Sequence, residues 1–251
     1  MNKYLKTYYQ KSKYSEADEK RFIWQTQNEI VNKMELSLLA SIKDALIQNK
    51  CSSVLEIGCG DAGNIYNLRT LLSGHKCCFT GIDYSEEKIR LATKNCPFAK
   101  FHTMDARYLN FPKNSFDLVF LRDVLHHVNE KQRVLMEAKR VAKKKVIVIE
   151  ANGENWLMKW FGKLMKLERD VLNSTTKKIC NLLNNICKID FISYKYAEPN
   201  PYPRLYLHYL YGMPKFSHFF LVKYLTVYLN KILCRQDITK WGYVVYECKV
   251  K

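Results

Sequence analysis

The sequence predicts an α/β fold built on a doubly wound, mainly parallel sheet, and three observations predict it. Residues 54–63, VLEIGCGDAG, form an apolar run that ends in an acid and breaks into glycines. Asp83 closes a second apolar run 20 residues after Gly63, the spacing at which such a sheet sets a carboxylate under ribose hydroxyls. Apolar runs and helical stretches then alternate from 52 to 152, which calls for parallel strands joined by right-handed crossovers.

Taken in order, residues 18–49 read as helical, with Ile23, Ile30, Val31, Met34, Leu38, Ile42 and Leu46 recurring at helical spacing. A leader carrying Tyr4, Tyr8, Tyr9 and Tyr14 precedes them. Val54, Leu55 and Ile57 suit a first strand, and Gly58, Gly60 and Gly63 suit the turn after it. Without side chains the backbone approaches a ligand closely, and the next helix, 64–72, begins with unpaired N–H groups. A nucleotide-like cofactor fits such a turn, although Gly-x-Gly-x-x-Gly alone equally describes a plain connection.

Residues 77–82 give the second strand and 85–96 the next helix, where Ser85 is the N-cap and Glu86 and Glu87 meet the positive end of the dipole. A third strand at 101–104 ends at Asp105-Ala106, and a fourth at 116–121 runs into Arg122-Asp123-Val124-Leu125-His126-His127. Residues 130–142 form a helix and 145–150 a fifth strand. Beyond them, 155–172 and 175–189 read as amphipathic helices, 191–197 as a sixth strand and 241–250 as a seventh. About forty residues, 199–240, separate the last two strands, more than an ordinary connection. This insert holds Tyr202, Tyr206, Tyr209, Phe216, Phe219 and Phe220, and Pro214 should divide it ahead of a helix at 216–233. Lys223, Asn230 and Lys231 interrupt that helix, so it is read as a cap packed on the core or as an amphipathic helix at a lipid interface, not as a span.

With Glu56 before the glycine turn, Asp83, Asp105 and the segment following the fourth strand, the chain resembles the class I S-adenosylmethionine-dependent methyltransferases. The resemblance covers 52–152 and, more loosely, the last strands. Glu56 and Asp105 separate it from nicotinamide-binding folds, whose first turn cradles a pyrophosphate; S-adenosylmethionine has no phosphate but carries a cationic amino group. The resemblance implies a seven-stranded Rossmann-like sheet whose last two strands form a hairpin with one antiparallel member. Residues 1–50 would then be a helical lid, 51–251 the methyltransferase domain, and 199–240 an insert that caps the acceptor. Where many members have Pro-Gly-Gly before the fifth strand, this chain has Ala142-Lys143-Lys144-Lys145, read as an exposed turn.

The same resemblance distributes the roles. Gly58, Gly60 and Gly63 would let the backbone pass beneath the cofactor, and Glu56 would attract its ammonium. Asp83 would hold both ribose hydroxyls, Tyr84 would pack against adenine, and Asp105 with the Ala106 N–H would meet the adenine edge. Arg122 is counted with the cofactor-binding residues. His126 and His127 are the candidate general bases, because imidazole titrates near neutrality. Methyl transfer is a direct displacement at an activated carbon, so positioning alone also supplies rate, and no cysteine is assigned a nucleophilic role.

Composition narrows the classes further. A chain of 251 residues, 47 % of them hydrophobic, buries one substantial core. The nine cysteines lack metal-type pairing and no secretory segment precedes them, which points to reduced thiols in a cytoplasm. Asp123, Glu150 and Asn152 are a poor metal set, and a metal-independent enzyme is expected. The 41 Lys plus Arg against 24 Asp plus Glu give +17, a charge that suits RNA, anionic head groups, phosphorylated substrates or simply a solvated surface. Arg122-Asp123-Val124-Leu125 stands where enzymes acting on base amines carry an Asn/Asp-Pro-Pro-aromatic motif, which argues against nucleic acid. The expected acceptor is a small molecule, methylated at oxygen or nitrogen. An RNA methyltransferase and a non-catalytic partner protein on the same fold are the alternatives.

Overall fold

The computed structural model describes residues 16–27, 29–155, 159, 163, 172–195 and 242–250. The expected leader (1–15), most of the helix at 155–172 and the insert at 199–240 lie outside the described residues. The strands are β1 (Ser53–Ile57), β2 (Cys78–Asp83), β3 (Lys100–Thr103), β4 (Phe116–Arg122), β5 (Ala142–Ala151), β6 (Lys188–Lys195) and β7 (Tyr243–Lys249). They form one sheet in the order β3-β2-β1-β4-β5-β7-β6. Strands β1 to β5 pair in parallel, and β7 lies antiparallel between β5 and β6. The chain enters at the centre, winds out to β3 and returns to the other side at β4, so the carboxyl ends of β1 and β4 flank the switch point where such sheets hold ligands.

Six described helices accompany the sheet: α1 (Glu16–Gln27), α2 (Glu29–Gln48), α3 (Gly63–Leu71), α4 (Glu86–Asn95), α5 (Lys131–Val141) and α6 (Thr176–Asn184). The pleat sorts the apolar residues into two cores. Val54, Leu118, Phe120, Ile147 and Ile149 pack with Leu38 and Ile42 of α2 and Ile65 and Leu68 of α3. Their neighbours Leu55, Ile57, Val119, Leu121 and Val148 pack on the opposite face with Val134 and Leu135 of α5 and Ile179 and Leu183 of α6. Because helices cover both faces, every residue of β4 is buried, as a continuous apolar run requires. Ser85 caps α4 by accepting from Lys88 N, and Thr175 caps α6 by accepting from Lys178 N.

The structure differs from the sequence reading in three places. The stretch 142–145 is no exposed turn, because β5 starts at Ala142 directly after α5. A register shift between Phe116 and Leu118 absorbs the extra residue on β5, and Lys144 reaches Asp117 at 3.6 Å. The helix expected to run to 189 ends at Asn184, where the N–H groups of Ile186 and Cys187 both donate to Leu183 O, at 2.9 and 2.8 Å, and close the last turn. Ile189 pairs with Cys248 inside the sheet instead. Ile23, placed on the apolar stripe by its spacing, is 49 % exposed, since α1 presents Arg21, Phe22 and Gln25 to the molecule. No described helix is long and apolar enough to cross a membrane.

Candidate functional site

Glu56 lies at the end of the central strand with no exposed surface. Its Oε1 accepts from Asn64 Nδ2 at 2.6 Å, while Oε2 is buried without a hydrogen-bond partner among the described residues. Burial pushes this carboxyl up to about 8, against the opposing pull of Asn64 and Arg122. A buried acid with one oxygen unmet is costly. The arrangement therefore favours a cationic group that enters over β1 and restores the charged form.

The glycine turn is shaped by the same strand end. Gly58 has φ +76°, and a Cβ there would lie 2.5 Å from Val124 Cγ2; neither the left-handed backbone nor the space admits a side chain. Gly58 N and Cys59 N donate to Ile82 O at 2.8 and 2.9 Å, and Gly60 N donates to Asp83 Oδ2 at 3.0 Å. Asp83 Oδ1 accepts from Ser85 N at 2.9 Å. Burial raises the Asp83 carboxyl, and these two backbone donors work against that rise. Each of its oxygens keeps a further lone pair to offer a ligand. Burial and the neighbouring acids push the Cys59 thiol well up, which leaves it no nucleophile.

Helix α1 sits over this turn. Arg21 lies 3.4 Å from Asp61, which is 2 % exposed in its side chain; Phe22 meets Tyr66 edge-on at 5.4 Å. A Cβ on Gly63 would come within 2.5 Å of Gln25 Oε1, so this glycine serves the close approach of α1. Helix α2 is anchored in the core through Leu38, Leu39 and Ile42, and it sends Glu35 back to the site.

Arg122 joins that Glu35 in a buried ion pair and also donates to Asn64 Oδ1 at 2.6 Å. Asn64 thus bridges Arg122 to Glu56, and the expected cofactor residue at 122 reaches the site through the amide of 64. Asp123, next in the chain, has φ +55° and accepts from the Tyr243 hydroxyl at 3.1 Å. Such a backbone is uncommon outside glycine and clusters at functional turns.

The two histidines fall in a 3₁₀ turn, Leu125–His127, and have different surroundings. His126 is 3 % exposed, with Nδ1 2.6 Å from Glu150 Oε2. Glu150 Oε1 accepts from Val124 N and Leu125 N at 3.0 and 2.7 Å, so one buried carboxylate at the end of β5 fixes the whole turn. His127 stacks at a tilt on His126, ring centroids 4.0 Å apart, and is half-buried. Burial holds His127 well below the usual imidazole range, His126 adds to that, and Asp123 opposes it.

On the other flank, Asp105 follows β3 and is clasped by Arg107, with Arg107 Nη2 2.7 Å from Asp105 Oδ2. That clasp lowers the Asp105 carboxyl, and Arg107 also pairs with Glu130. Ala106 is half-buried beside it, and Tyr84 is 38 % exposed just beyond Asp83. Glu56 near the end of β1, Asp83 at the end of β2 and Asp105 just after β3 therefore stand at one end of three adjacent strands.

Sequence reasoning missed Glu35, Asn64, Asp61 and Arg107. Glu35 had a visible signal: it stands one turn after Val31 and before Leu38 and Leu39, a lone acid inside an apolar stripe. Asn64, first after the last glycine, had a positional one. Asp61 and Arg107 had none that distinguishes them from surface charge.

Known proteins with related sequences and structures are consistent in kind. The methyltransferase domain family matches residues 48–198, more than half of the chain. A phosphatidylethanolamine N-methyltransferase from Cereibacter sphaeroides is 34 % identical over 105 residues, 39 % of this chain and 49 % of that protein. A 2-methyl-6-phytyl-1,4-hydroquinone methyltransferase from Synechocystis is 34 % identical over 104 residues, 40 % of this chain and 32 % of that one. The matched stretches thus span half or less of these relatives. The solved structure of phosphoethanolamine N-methyltransferase 2 from Haemonchus contortus in complex with S-adenosyl-L-methionine superposes with a TM-score of 0.65 at 19 % identity. That superposition covers 96 % of this chain and 59 % of that one, and it speaks for the fold.

Proposed function

The chain belongs to the methyltransferase domain family and has the class I S-adenosylmethionine-dependent methyltransferase fold, and from that premise we propose that it moves a methyl group from S-adenosylmethionine to an oxygen or nitrogen of a small-molecule acceptor. The observation that carries the reading is Glu56, a fully buried carboxyl with one unmet oxygen beside a left-handed glycine turn. The residues present fit the cofactor. Its ammonium would be held by Glu56, its ribose hydroxyls by Asp83, and its adenine between Tyr84 and the Asp105-Ala106 segment. When bound, the cofactor supplies a methyl group on a sulfonium, already activated for displacement.

The chain's own residues would do the rest. Gly58 and Gly60 would let the backbone close under the ligand, and α1 would cover it from the N-terminal side. His126 is held by Glu150 and orients the 3₁₀ turn, whereas His127 is half-buried and its burial favours the neutral imidazole. His127 is thus the better placed general base for an acceptor hydroxyl or ammonium. The insert at 199–240 would cap the acceptor, and its aromatic residues suit an apolar one. An amine nitrogen is the acceptor named for the phosphatidylethanolamine N-methyltransferase relative, and phenolic or alcoholic oxygens are the second class to try.

The test is an assay of S-adenosylhomocysteine release with ethanolamine phospholipids, hydroquinones and small amines as acceptors. His127→Ala is expected to lower turnover by about two to four orders of magnitude with cofactor affinity unchanged. A pH–rate profile indifferent to that change would leave positioning alone as the source of rate. Release that no acceptor stimulates would remove the enzymatic reading.

A further inference from the structure

The end of the sheet opposite the site carries a feature that methyl transfer does not use. Every one of the seven strands has an exposed lysine at or just before the edge where the parallel strands begin. Across the sheet, Lys100 stands under β3, Lys76 under β2, Lys50 under β1 and Lys113 under β4. Lys143 follows under β5, and Lys249 and Lys188, paired in register, stand under β7 and β6. With strands about 4.8 Å apart, the row is roughly 29 Å wide.

Three acids at this edge are already paired. Asp117 holds Lys144 at 3.6 Å, and Asp190 and Glu247 hold Lys145 at 3.6 and 3.5 Å. Among the described residues none of the seven lysines has a carboxylate within ion-pair distance. Two apolar side chains project beside them, Ile47 in the last turn of α2 at 46 % exposure and Phe98 just before β3 at 47 %. All seven members of the row are lysines, which lack the fork by which arginine grips single phosphates; Arg69 lies beside them, 6.0 Å over the Phe98 ring. A line of lysine point charges flanked by small apolar contacts suits a plane of anionic charge over hydrocarbon.

We propose that this edge is a docking surface for anionic phospholipid membranes. Docked by it, the molecule turns the carboxyl ends of its strands, and with them the candidate site, away from the bilayer. The proposal is independent of the methyl-transfer reading, because its readout is vesicle binding.

The experiment is flotation of the full chain with phosphatidylcholine vesicles and with vesicles containing about one third phosphatidylglycerol, at low salt and at about 0.5 M salt. Binding to the anionic vesicles alone, released by salt, is expected. The variant K76Q/K113Q/K143Q/K188Q/K249Q should bind at least about tenfold more weakly. The charge-matched variant K33Q/K131Q/K159Q/K177Q/K178Q should bind as the parent does, and melting of each variant checks that it folds. Equal losses in the two variants would reduce the effect to net charge and overturn the proposal. So would equal partition onto neutral vesicles, no vesicle binding at all, or retention on single-stranded RNA without vesicle binding.

Discussion

The two ends of this sheet treat charge in opposite ways. At the carboxyl end the titratable side chains are paired with named neighbours: Glu35 with Arg122 and His126 with Glu150 in the interior, Asp61 with a part-exposed Arg21, and Asp105 with a part-exposed Arg107. At the amino end the lysines are exposed and face water. Buried charges are worth several kcal/mol one at a time because the low dielectric leaves nothing else to satisfy them. Exposed ones act only as a sum and are screened by salt. One end is therefore built for a ligand of fixed shape and the other for a partner defined by charge density.

That contrast breaks most visibly at Glu150. Removing its side chain strips Val124 N, Leu125 N and the His126 ring of their shared acceptor, and Glu150→Ala should cost about 3 to 5 kcal/mol in urea unfolding. A loss under about 1 kcal/mol would mean that the turn is held from elsewhere. Gly58→Ala comes next. The new Cβ meets Val124 in a left-handed backbone, and a cost of about 2 to 3 kcal/mol is expected by the same measurement.

Smaller in size but sharper in sign is the pH dependence at Glu56. Its carboxyl is raised from the ordinary 4.5 to about 8, so the folded protein keeps a proton that the unfolded chain loses. The resulting stability is full below about 4.5 and disappears as pH rises through about 8. The melting temperature of the ligand-free protein should fall between about pH 5 and 8 and level off above, and Glu56→Gln should remove most of that fall. At the amino end, by contrast, Lys143→Ala or Lys188→Ala should change stability by less than about 0.5 kcal/mol. A larger change would mean that these lysines are structural, and the contrast between the two ends would be lost.

The legibility of the sequence follows the same division. The strands were readable because helices on both faces make each one a continuous apolar run, as FDLVFLR in β4 is. Glu56, Asp83 and the glycines were readable because their order along one strand–turn–helix unit carries their meaning. What stayed hidden is what tertiary packing decides. Asn64 is an ordinary helix-start residue until Arg122 and Glu56 arrive on either side of it, and Glu150 is the last acid of a strand until the 3₁₀ turn folds onto it. The turn expected at 142–145 failed for a local reason, since a bulge opposite Asp117 let three lysines enter the strand. The lysine row was invisible because its members lie far apart in the chain, and only the strand order sets them side by side.

The central claim is that the ends of β1 and β2 cradle S-adenosylmethionine, and calorimetric titration of the metal-free protein with that compound and with S-adenosylhomocysteine tests it most directly. Both should bind the parent chain. Asp83→Asn, which loses the charge and leaves a carbonyl oxygen for only one of the two backbone donors, should weaken both by about ten- to a hundredfold in a protein that still melts cooperatively. No heat of binding with either compound, or the same affinity in Asp83→Asn as in the parent, would contradict it.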